Sequence, residues 1–484
     1  MSLAWPDLLV ELRRAELLVA APEQGPAPSA LSADSRAIVP GALYVAVRGS
    51  QADGHRFVPD AIRRGAAAVA VETPGGAGVP EIVVSDGRRA ALALGAAWYG
   101  HPARRLSLLG VTGTNGKTTT TGLIRHLLNA TGTSGSIGTL GAFDGKGEPV
   151  LSTAGTLTTP GPIDLQATLA ALVERGVNQV TMEASSHSLD QGRLDGLRFA
   201  VGVFTNLTRD HLDYHGTMEA YLAAKLRLGS MLTEQGVEVV NLDDTAWAVM
   251  PSTSRRVTFG THPAADVRAT GIVLDATGSR FRLEGCFGNA EVSLPLLGDF
   301  NVANALAAAA CALGMGMPLP EVATRLSTSA QVPGRMELLV EAPCVVLRDY
   351  AHTPDALERA LATLRPLTRG RLVVVFGCGG DRDKGKRPIM GRVAAERADV
   401  VVVTSDNPRT EDPLAIIDDI EQGMGGVAHM RIVDRLEAIR TALRQSRPGD
   451  TILLAGKGHE TYQVLGSEKV PFDEREIVKA AVTG

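Results

Sequence analysis

One glycine-rich stretch, GVTGTNGKTTT at residues 110–120, constrains the fold of this chain more than any other part of the sequence. It follows the apolar run LSLLGV (106–111) and leads into KTTTTGLIRHLLNA (117–130), which we expect to form a helix. A glycine-rich turn between a strand and a helix is the setting of a phosphate-binding loop. The stretch therefore predicts an open, mostly parallel α/β sheet, in which binding sites lie beyond the carboxyl ends of the strands.

The residue types of this loop suit a nucleotide. Gly113 and Gly116 allow tight turns that point backbone N–H groups inward. Lys117 can reach the terminal phosphates of ATP, and the Thr118 hydroxyl can hold Mg²⁺. The spacing departs from G-x-x-x-x-G-K-[ST], because Val111 stands where the first glycine is usual. A glycine-rich turn without a ligand is the alternative.

Strand-like apolar runs alternate with helical stretches along the whole chain, a pattern typical of parallel α/β sheets. Breaks at WYGHPARR (98–105) and STSAQVPGR (327–335) divide it, and 484 residues are enough for roughly three domains. We predict α/β domains at residues 1–100, 101–330 and 331–484. The predicted strands are ALYVAV, AAAVAV, LSLLGV, QVTMEA, VGVFTNL, CVVLRDYA, LVVVFGC, VVVVT and TILLAG; TPDALERALATL and RPIMGRVAAERA are predicted helices.

Composition excludes several classes of protein. A formal charge of −5 argues against a nucleic-acid partner. No apolar run is long enough for a membrane span, and the first residues lack a signal-peptide pattern. The four cysteines show no CxxC spacing, which argues against a disulfide framework or a zinc site and fits a cytoplasmic protein.

Acidic and histidine side chains follow two further predicted strands of the central region. Glu183 ends QVTMEA, where a carboxylate can take a metal ion directly or through water. TNLTRDHLDYHG (205–216) adds Asp210, His211, Asp213 and His215. Such clusters can bind zinc or surround a magnesium phosphate, and Mg²⁺ fits better beside a phosphate loop. A solvated acid at a strand end is the alternative for Glu183.

Six motifs, in order, resemble those of the Mur ligases of peptidoglycan synthesis. They are GVTGTNGKTT (110–119), MEASSH (182–187), TNLTRDHLDYHG (205–216), GDFNVANALAA (298–308), VPGRME (332–337) and DYAHTPDAL (349–357). The resemblance implies an N-terminal α/β domain for a UDP-sugar substrate, a central ATPase domain with a P-loop, and a C-terminal Rossmann-like domain for an amino acid. Within the family, the chain is most similar to members that add the third residue of the peptide.

The resemblance also implies which residues bind which substrate. For UDP-MurNAc-L-Ala-D-Glu these are Ala33, Ser35, Ser50, Gln51, Ala52, Thr158, Thr159, Ser185, Gln191 and Arg193. For ATP they are Gly113, Thr114, Asn115, Gly116, Lys117, Thr118, Thr119, Asn301, Asn304, Arg335 and Asp349, with His352 a further candidate. Thr118, Glu183, His211 and Lys225 would hold Mg²⁺, and Lys117, Lys225, Glu183 and His211 would form the catalytic set.

Lys225 depends on the resemblance alone. In YLAAKLRLGSML it reads as an ordinary surface lysine. The matching lysine of the family is carbamoylated, which turns it into an anion that helps to hold Mg²⁺.

A tight turn, Asp406-Asn407-Pro408-Arg409, follows the run VVVVT. Arg409 offers a bidentate fork for the far carboxylate of a diamino dicarboxylic acid, while Asp406 and Asn407 can accept from ammonium groups. Lysine lacks that carboxylate, so the turn resembles the meso-diaminopimelate signature of the family. An ordinary solvated turn is the alternative. Further residues implied for this substrate are Arg382, Gly456 and Glu460.

Together these features predict a monomeric, ATP-dependent amide ligase. ATP would phosphorylate the γ-carboxylate of the D-glutamyl residue, and the amine of meso-diaminopimelate would displace phosphate. Three alternatives are a lysine-adding ligase of the same kind, an enzyme like folylpolyglutamate synthase, and a nucleotide switch without enzymatic activity.

Overall fold

A computed structural model describes residues 3–49, 52–150, 157–251, 255–275 and 277–483. Three large sheets follow one another along the chain, with a separate two-stranded hairpin near the end, and helices pack on the large sheets, so the expected three-domain α/β architecture is present. The domain limits at 100 and 330 stay a prediction. Within the described ranges, no helix is both long and apolar enough to cross a membrane.

The first sheet has five strands in the order β1-β5-β4-β3-β2. Only the β1–β5 pair is antiparallel. Its apolar strands and helices bury a core around Trp5, Val45 and Leu94. The elements are α1 (Trp5–Arg14), β1 (Leu18–Ala20), β2 (Leu31–Ser32), β3 (Leu43–Val45), α2 (Val58–Arg63), β4 (Ala68–Val71), β5 (Glu81–Val84) and α3 (Gly87–Trp98).

The central sheet has ten strands in the order β15-β14-β13-β12-β11-β10-β6-β9-β7-β8. Its elements are β6 (Ser107–Thr112), α4 (Lys117–Leu128), β7 (Ser134–Gly138), β8 (Gly141–Phe143), α5 (Pro162–Glu174), β9 (Gln179–Glu183), α6 (Ser186–Asp190), β10 (Phe199–Phe204), α7 (Leu212–His215), α8 (Met218–Ser230), β11 (Leu232–Asn241), β12 (Arg256–Gly260), β13 (Val267–Asp275), β14 (Gly278–Gly285), β15 (Gly288–Leu294), α9 (Asp299–Gly314) and α10 (Leu319–Leu326).

The middle of this sheet is parallel, as the sequence predicts. Strand β6 lies between β9 and β10, so the loop that follows β6 emerges between the ends of its two parallel neighbours. Two antiparallel additions were not predicted. Strands β13, β14 and β15 extend one edge, and the β7–β8 hairpin forms the other.

The third sheet has six strands in the order β16-β17-β21-β18-β19-β20, antiparallel only between β16 and β17. Strands β18 and β21 are buried along their whole length, which explains their nearly continuous apolar composition. The elements are β16 (Glu337–Val340), β17 (Val345–Asp349), α11 (Pro354–Leu364), β18 (Leu372–Phe376), α12 (Lys386–Arg397), β19 (Val400–Val403), α13 (Pro413–Glu421), β20 (Met430–Arg431), α14 (Arg435–Gln445), β21 (Thr451–Ala455), β22 (Tyr462–Leu465), β23 (Glu468–Pro471) and α15 (Glu474–Thr483).

Candidate active site

The loop between β6 and α4 needs glycine at two positions. Gly113 and Gly116 have φ values of +146° and +83°. A Cβ at Gly113 would overlap the Thr205 hydroxyl, and one at Gly116 would overlap the Asn304 amide. The predicted phosphate loop therefore lies folded between β10 and α9, at the amino end of α4, where backbone dipoles favour an anion.

Lys117 folds back onto this loop. Its ammonium donates to the carbonyl oxygens of Gly113 and Thr114, at 2.9 and 2.8 Å. Burial lowers the pKa of Lys117, and the nearby carboxylates of Glu183 and Asp210 oppose that shift. The ammonium is therefore placed at the loop that would receive phosphate.

Lys225 is buried, not a surface residue. Its side chain lies on α8, is 1% exposed, and donates to the Gly113 carbonyl at 2.7 Å. The ammonium also lies 4.3 Å from the centre of the Tyr221 ring, whose hydroxyl donates to Thr114. Burial lowers the pKa of Lys225 far below its usual value, and the charge of Lys117 adds to the effect.

Glu183 is also buried, at 1% exposure, so it is not a solvated strand end. It pairs with Val111 in the sheet, directly before the loop. Its carboxylate accepts from the backbone N–H and the hydroxyl of Thr139, at 2.8 and 3.1 Å. Glu183 and Thr118 line one cavity of about 370 Å³.

This donor set fits magnesium better than zinc. Within the described ranges, no group of three or more His, Cys, Asp or Glu side chains is arranged to hold a metal ion. Mg²⁺ needs only one or two carboxylates, because phosphate and water supply its other ligands. Glu183 and the Thr118 hydroxyl satisfy that requirement.

His211 lies in a cluster of rings beside the loop. Its ring centre is 4.7 Å from that of His187, and its Nε2 is 3.5 Å from the Asp210 carboxylate. Burial lowers the pKa of His211 to about 4 although Asp210 opposes the shift. The backbone φ of +54° is left-handed, a conformation that non-glycine residues seldom adopt away from functional sites. The imidazole is neutral at neutral pH and can offer a lone pair.

Two contacts join the phosphate loop to the C-terminal part of the chain. Arg335 donates to the Thr118 hydroxyl at 3.1 Å, and its guanidinium stacks on Tyr350 with 4.4 Å to the ring centre. The Asn115 amide donates to Asp355 at 3.2 Å. Residues on opposite sides of the second domain break therefore meet at one site.

Asp349 ends β17 close to Arg335. Its carboxylate accepts from the backbone N–H of Met336 at 2.6 Å. Burial raises the pKa of Asp349 to about 6, and the positive charge of Arg335 opposes the rise. The carboxylate is ionised at neutral pH and can accept from a ligand hydroxyl.

Asn301 and Asn304 support the loop from α9. The Asn301 amide donates to the Leu297 carbonyl at 2.7 Å, and the Asn304 amide donates to Asn301 at 3.0 Å. The oxygen of Asn304 lies beside Gly116 and accepts from Thr120 at 3.4 Å. Both are buried, as is Thr119 at the start of α4. Direct contact of these residues with a nucleotide stays a prediction.

A polar cluster lies next to the backbone carbonyl of Glu183. The Thr159 hydroxyl donates to the Glu183 carbonyl at 2.8 Å and is 3.4 Å from the Ser185 hydroxyl. Arg193 donates to the Thr159 carbonyl at 3.0 Å and also to Gln191. Thr158 joins through Thr139, whose hydroxyl oxygen lies 3.3 Å from that of Thr158. The structure thus brings together all five residues predicted here for the substrate peptide.

In the first domain, two predicted substrate turns lie around one buried tyrosine. Tyr44 donates to the Gly54 carbonyl at 2.9 Å, just after Ala52 and Asp53. Burial raises the pKa of Tyr44 to about 12, and the negative charges of Asp34 and Asp53 add to the rise. Asp34 lies between Ala33 and Ser35, of which Ser35 is buried. Ser50 and Gln51 lie outside the described residues.

The Asp406–Arg409 turn is largely buried, so it is not an ordinary solvated turn. Asp406 and Asn407 are 8% and 4% exposed. The Asn407 amide donates to Glu460 at 2.9 Å, across from β19 to the segment after β21. A Cβ on Gly456 would lie 3.9 Å from the Asp406 carboxyl, in ordinary contact. Predicted residues from two strand ends therefore share one pocket.

Arg409 is half-buried and faces a second arginine. Its guanidinium donates to the Gly380 carbonyl at 2.7 Å and forms no ion pair within the described ranges. A guanidinium nitrogen of Arg409 and the Cγ atom of Arg382 both lie near Gly379. The charge of Arg382 lowers the pKa of Arg409 after burial does, while Asp406, Glu460 and Asp381 oppose the shift. A half-buried guanidinium without an ion pair suits an anionic ligand.

Two residues of the site were missed by sequence reasoning. Lys457 is 0% exposed, and its ammonium lies 3.1 Å from Glu460, 3.1 Å from Asn407 and 3.6 Å from Asp406. A lysine that directly follows a buried strand end in AGKGHE was an available signal. Thr139 had none, because Gly-Thr-Leu reads as an ordinary turn.

Three family models match the chain. The Mur ligase family catalytic domain matches residues 29–101, the Mur ligase middle domain 111–312, and the Mur ligase glutamate ligase domain 334–458.

Similar proteins cover nearly the whole chain. The UDP-N-acetylmuramoyl-L-alanyl-D-glutamate–2,6-diaminopimelate ligase of Geobacillus kaustophilus is 46% identical over 466 residues, 94% of each chain. The ligase of the same name from Gloeobacter violaceus is 46% identical over 461 residues, 94% of this chain and 93% of the relative. A solved structure of a ligase with that name is 35% identical, with a TM-score of 0.66 and 100% and 99% coverage.

Proposed function

Because the chain belongs to the Mur ligase family, we propose that it joins meso-diaminopimelate to UDP-MurNAc-L-Ala-D-Glu in an ATP-dependent reaction of peptidoglycan precursor synthesis. The new bond is an amide between the γ-carboxylate of the D-glutamyl residue and one amine of the diamino acid. The observation that carries the proposal is the contact of Arg335 with Thr118, which joins the phosphate loop to the domain that holds the Asp406–Arg409 pocket.

The first half of the reaction belongs to the phosphate loop. ATP binds with its phosphates over the amino end of α4, where the loop backbone and Lys117 face them. The D-glutamyl carboxylate enters from the side of Thr159, Ser185 and Arg193, and takes the γ-phosphoryl group to form an acyl phosphate. Lys117 stabilises the charge that develops on the transferred group.

Magnesium is part of the proposal. When bound, Mg²⁺ neutralises charge on the phosphates during transfer. Glu183 and Thr118 would hold it, with His211 and a carbamoylated Lys225 as further ligands. The buried carboxylate of Glu183 keeps its orientation because Thr139 donates to both of its oxygens.

The second half belongs to the C-terminal pocket. Arg409 and Arg382 hold the far carboxylate of diaminopimelate, and Glu460 and Asp406 accept from its ammonium groups. Lysine would leave the two guanidinium groups without a partner, which disfavours its binding. The amine at the opposite end from the held carboxylate attacks the acyl phosphate, forms the amide and releases inorganic phosphate. The alternatives, a lysine-adding ligase among them, gain no support from this pocket.

The test is an amino-acid panel with the UDP-linked dipeptide, ATP and Mg²⁺. The expected result is phosphate release that requires both the dipeptide and diaminopimelate, with a product of the mass of the UDP-linked tripeptide. Lys117→Ala should abolish turnover, while Lys146→Ala, at an exposed turn, should not. Equal use of lysine and diaminopimelate, or hydrolysis of ATP without the dipeptide, would refute the proposal. The proposed enzyme is cytoplasmic and monomeric, and light scattering checks the latter.

A further inference from the structure

His459 lies between two parts of the candidate site, the residues around the phosphate loop and the Asp406–Arg409 pocket. It follows Gly458, whose backbone packs against Tyr350 and against Gly334 in the segment between the second and third sheets. A Cβ on Gly334 would overlap the backbone of Gly458 and His459. The close packing fixes the turn, and with it the direction in which the imidazole leaves the backbone.

On one side the imidazole faces the phosphate and metal residues. The backbone carbonyl of Thr139 lies close enough to the ring to oppose the lowering of the His459 pKa. Thr139 itself holds the Glu183 carboxylate. The ring centre is also 5.6 Å from that of Tyr350, on which Arg335 stacks. One residue thus separates His459 from each of Glu183 and Arg335.

On the other side His459 adjoins the amino-acid pocket. The next residue, Glu460, accepts from Asn407 and Lys457, within the pocket of the Asp406–Arg409 turn. An amine held near Glu460 and an acyl phosphate formed near Lys117 must meet between these groups. His459 directly precedes Glu460 and packs against Tyr350, on which Arg335 stacks.

One nitrogen of the imidazole is unpartnered. Nδ1 is buried and has no hydrogen-bond partner in the described structure. With the proton on Nε2, the lone pair lies on Nδ1. A buried nitrogen without a partner is costly in the absence of ligand and suits a group that meets substrate.

We propose that His459 is the general base that takes the proton from the attacking amine. As the neutral amine nitrogen bonds to the carbonyl carbon, one N–H proton passes to Nδ1. The bond between that carbon and the phosphate oxygen then breaks, and inorganic phosphate leaves with its electron pair. His459 returns the proton to phosphate or water. The inference rests on the proposed function and adds a residue to it.

The charges around the ring agree with this role. Burial lowers the pKa of His459 to about 4, and the positive charges of Arg335, Arg348 and Lys457 add to the effect. The imidazole is therefore neutral before substrate binds. The anionic acyl phosphate, placed among the same cations, offsets their charge and raises the basicity of Nδ1 when the proton must be taken. Glu460 adds a second negative charge from the next position.

The experiment compares two nucleophiles with His459→Asn and His459→Gln. Both nucleophiles lose an N–H proton as they are acylated. The adduct of hydroxylamine, a much weaker base than the diaminopimelate amine, is acidic enough to give that proton to water, so hydroxylamine traps the acyl phosphate as a hydroxamate without a protein base. We expect both variants to lose amide formation by about 10²-fold or more. Hydroxamate formation should stay close to the wild-type rate, and the acidic limb of the kcat profile should flatten. His429→Asn, in a partly buried pair with Glu421 outside the candidate site, is the matched control.

Three outcomes overturn the inference. They are wild-type amide formation in both variants, an equal loss with both nucleophiles, and an unchanged pH profile. Thermal unfolding of each variant checks that it folds. Failure of the wild type to form either product would refute the proposed function instead, so the two failures are distinguishable.

Discussion

Lys117 and Lys225 both donate to the carbonyl oxygen of Gly113, at 2.9 and 2.7 Å. Two ammonium groups on one oxygen repel each other, and the charge of Lys117 lowers the tendency of the buried Lys225 to hold a proton. An anion at either position would remove that repulsion. A phosphate does so for Lys117, and a carbamate on the nitrogen of Lys225 would do so from the other side.

Lys225 should react with carbon dioxide. Its lowered pKa leaves the amine neutral more often than in an exposed lysine, and only the neutral amine forms a carbamate. With ¹³C-labelled bicarbonate, NMR should show one slow-exchanging carbamate carbon in the wild type. Lys225→Ala should lose both the signal and turnover, whereas Lys146→Ala should keep them. An undiminished signal in Lys225→Ala would place the carbamate elsewhere.

Arg409 should decide between diaminopimelate and lysine. Its guanidinium is held by the Gly380 carbonyl and forms no ion pair within the described ranges, so a substrate carboxylate can take that place. Charged hydrogen bonds contribute about 1.5–3 kcal/mol. Arg409→Ala should therefore lower kcat/KM for diaminopimelate about 10- to 100-fold and change that for lysine much less.

The control for Arg409 is Arg444→Ala, because Arg444 is exposed and pairs with Glu437 on α14. Steady-state kinetics with both amino acids give the ratio of kcat/KM for diaminopimelate to kcat/KM for lysine. A parallel fall for lysine and diaminopimelate would show that Arg409 shapes the pocket without reading the far carboxylate.

Much of the fold followed from local pattern. The runs that became β6, β18, β19 and β21 are nearly continuous apolar segments, which only strands buried on both faces need. The β13–β15 extension escaped because its strands alternate buried and exposed residues and carry several arginines. A strand that mixes charged and apolar residues resembles a loop until its partner strand is known.

Only part of the candidate site could likewise be predicted from local sequence. Gly113, Gly116 and Lys117 lie within one short stretch, so their spacing alone predicts a phosphate loop. Contacts such as Arg335 with Thr118 join residues 217 positions apart. Only the family resemblance placed such residues together, because no local spacing encodes the packing of one domain on another.

Lys457 should hold the amino-acid pocket together. It is the buried cation between Asp406 and Glu460. Lys457→Met would leave two carboxylates facing each other, and breaking a buried pair in this way costs about 3–5 kcal/mol. We expect a lower unfolding temperature and a higher KM for diaminopimelate. Adding Glu460→Gln should restore part of the stability and none of the activity, as urea unfolding and kinetics would show. No rescue of stability would contradict the pairing.

Asp349 should make the protein less stable as pH rises. Burial raises its pKa from 3.8 to about 6, so the folded state holds this proton more tightly than the unfolded state does. The free energy of unfolding therefore falls as pH rises between these two values and stays lowered above them. Asp349→Asn, which cannot ionise, should exceed the wild type by about 2–3 kcal/mol at pH 8 and match it below pH 4. Urea unfolding at both pH values measures the difference, and Asp383→Asn, at an exposed position, should show none. The Asp349→Asn variant should also bind ATP more weakly, because a neutral amide oxygen is a weaker acceptor for a ligand hydroxyl than the carboxylate. A stability gain that does not depend on pH would mean that the Asp349 carboxylate is not the titrating group.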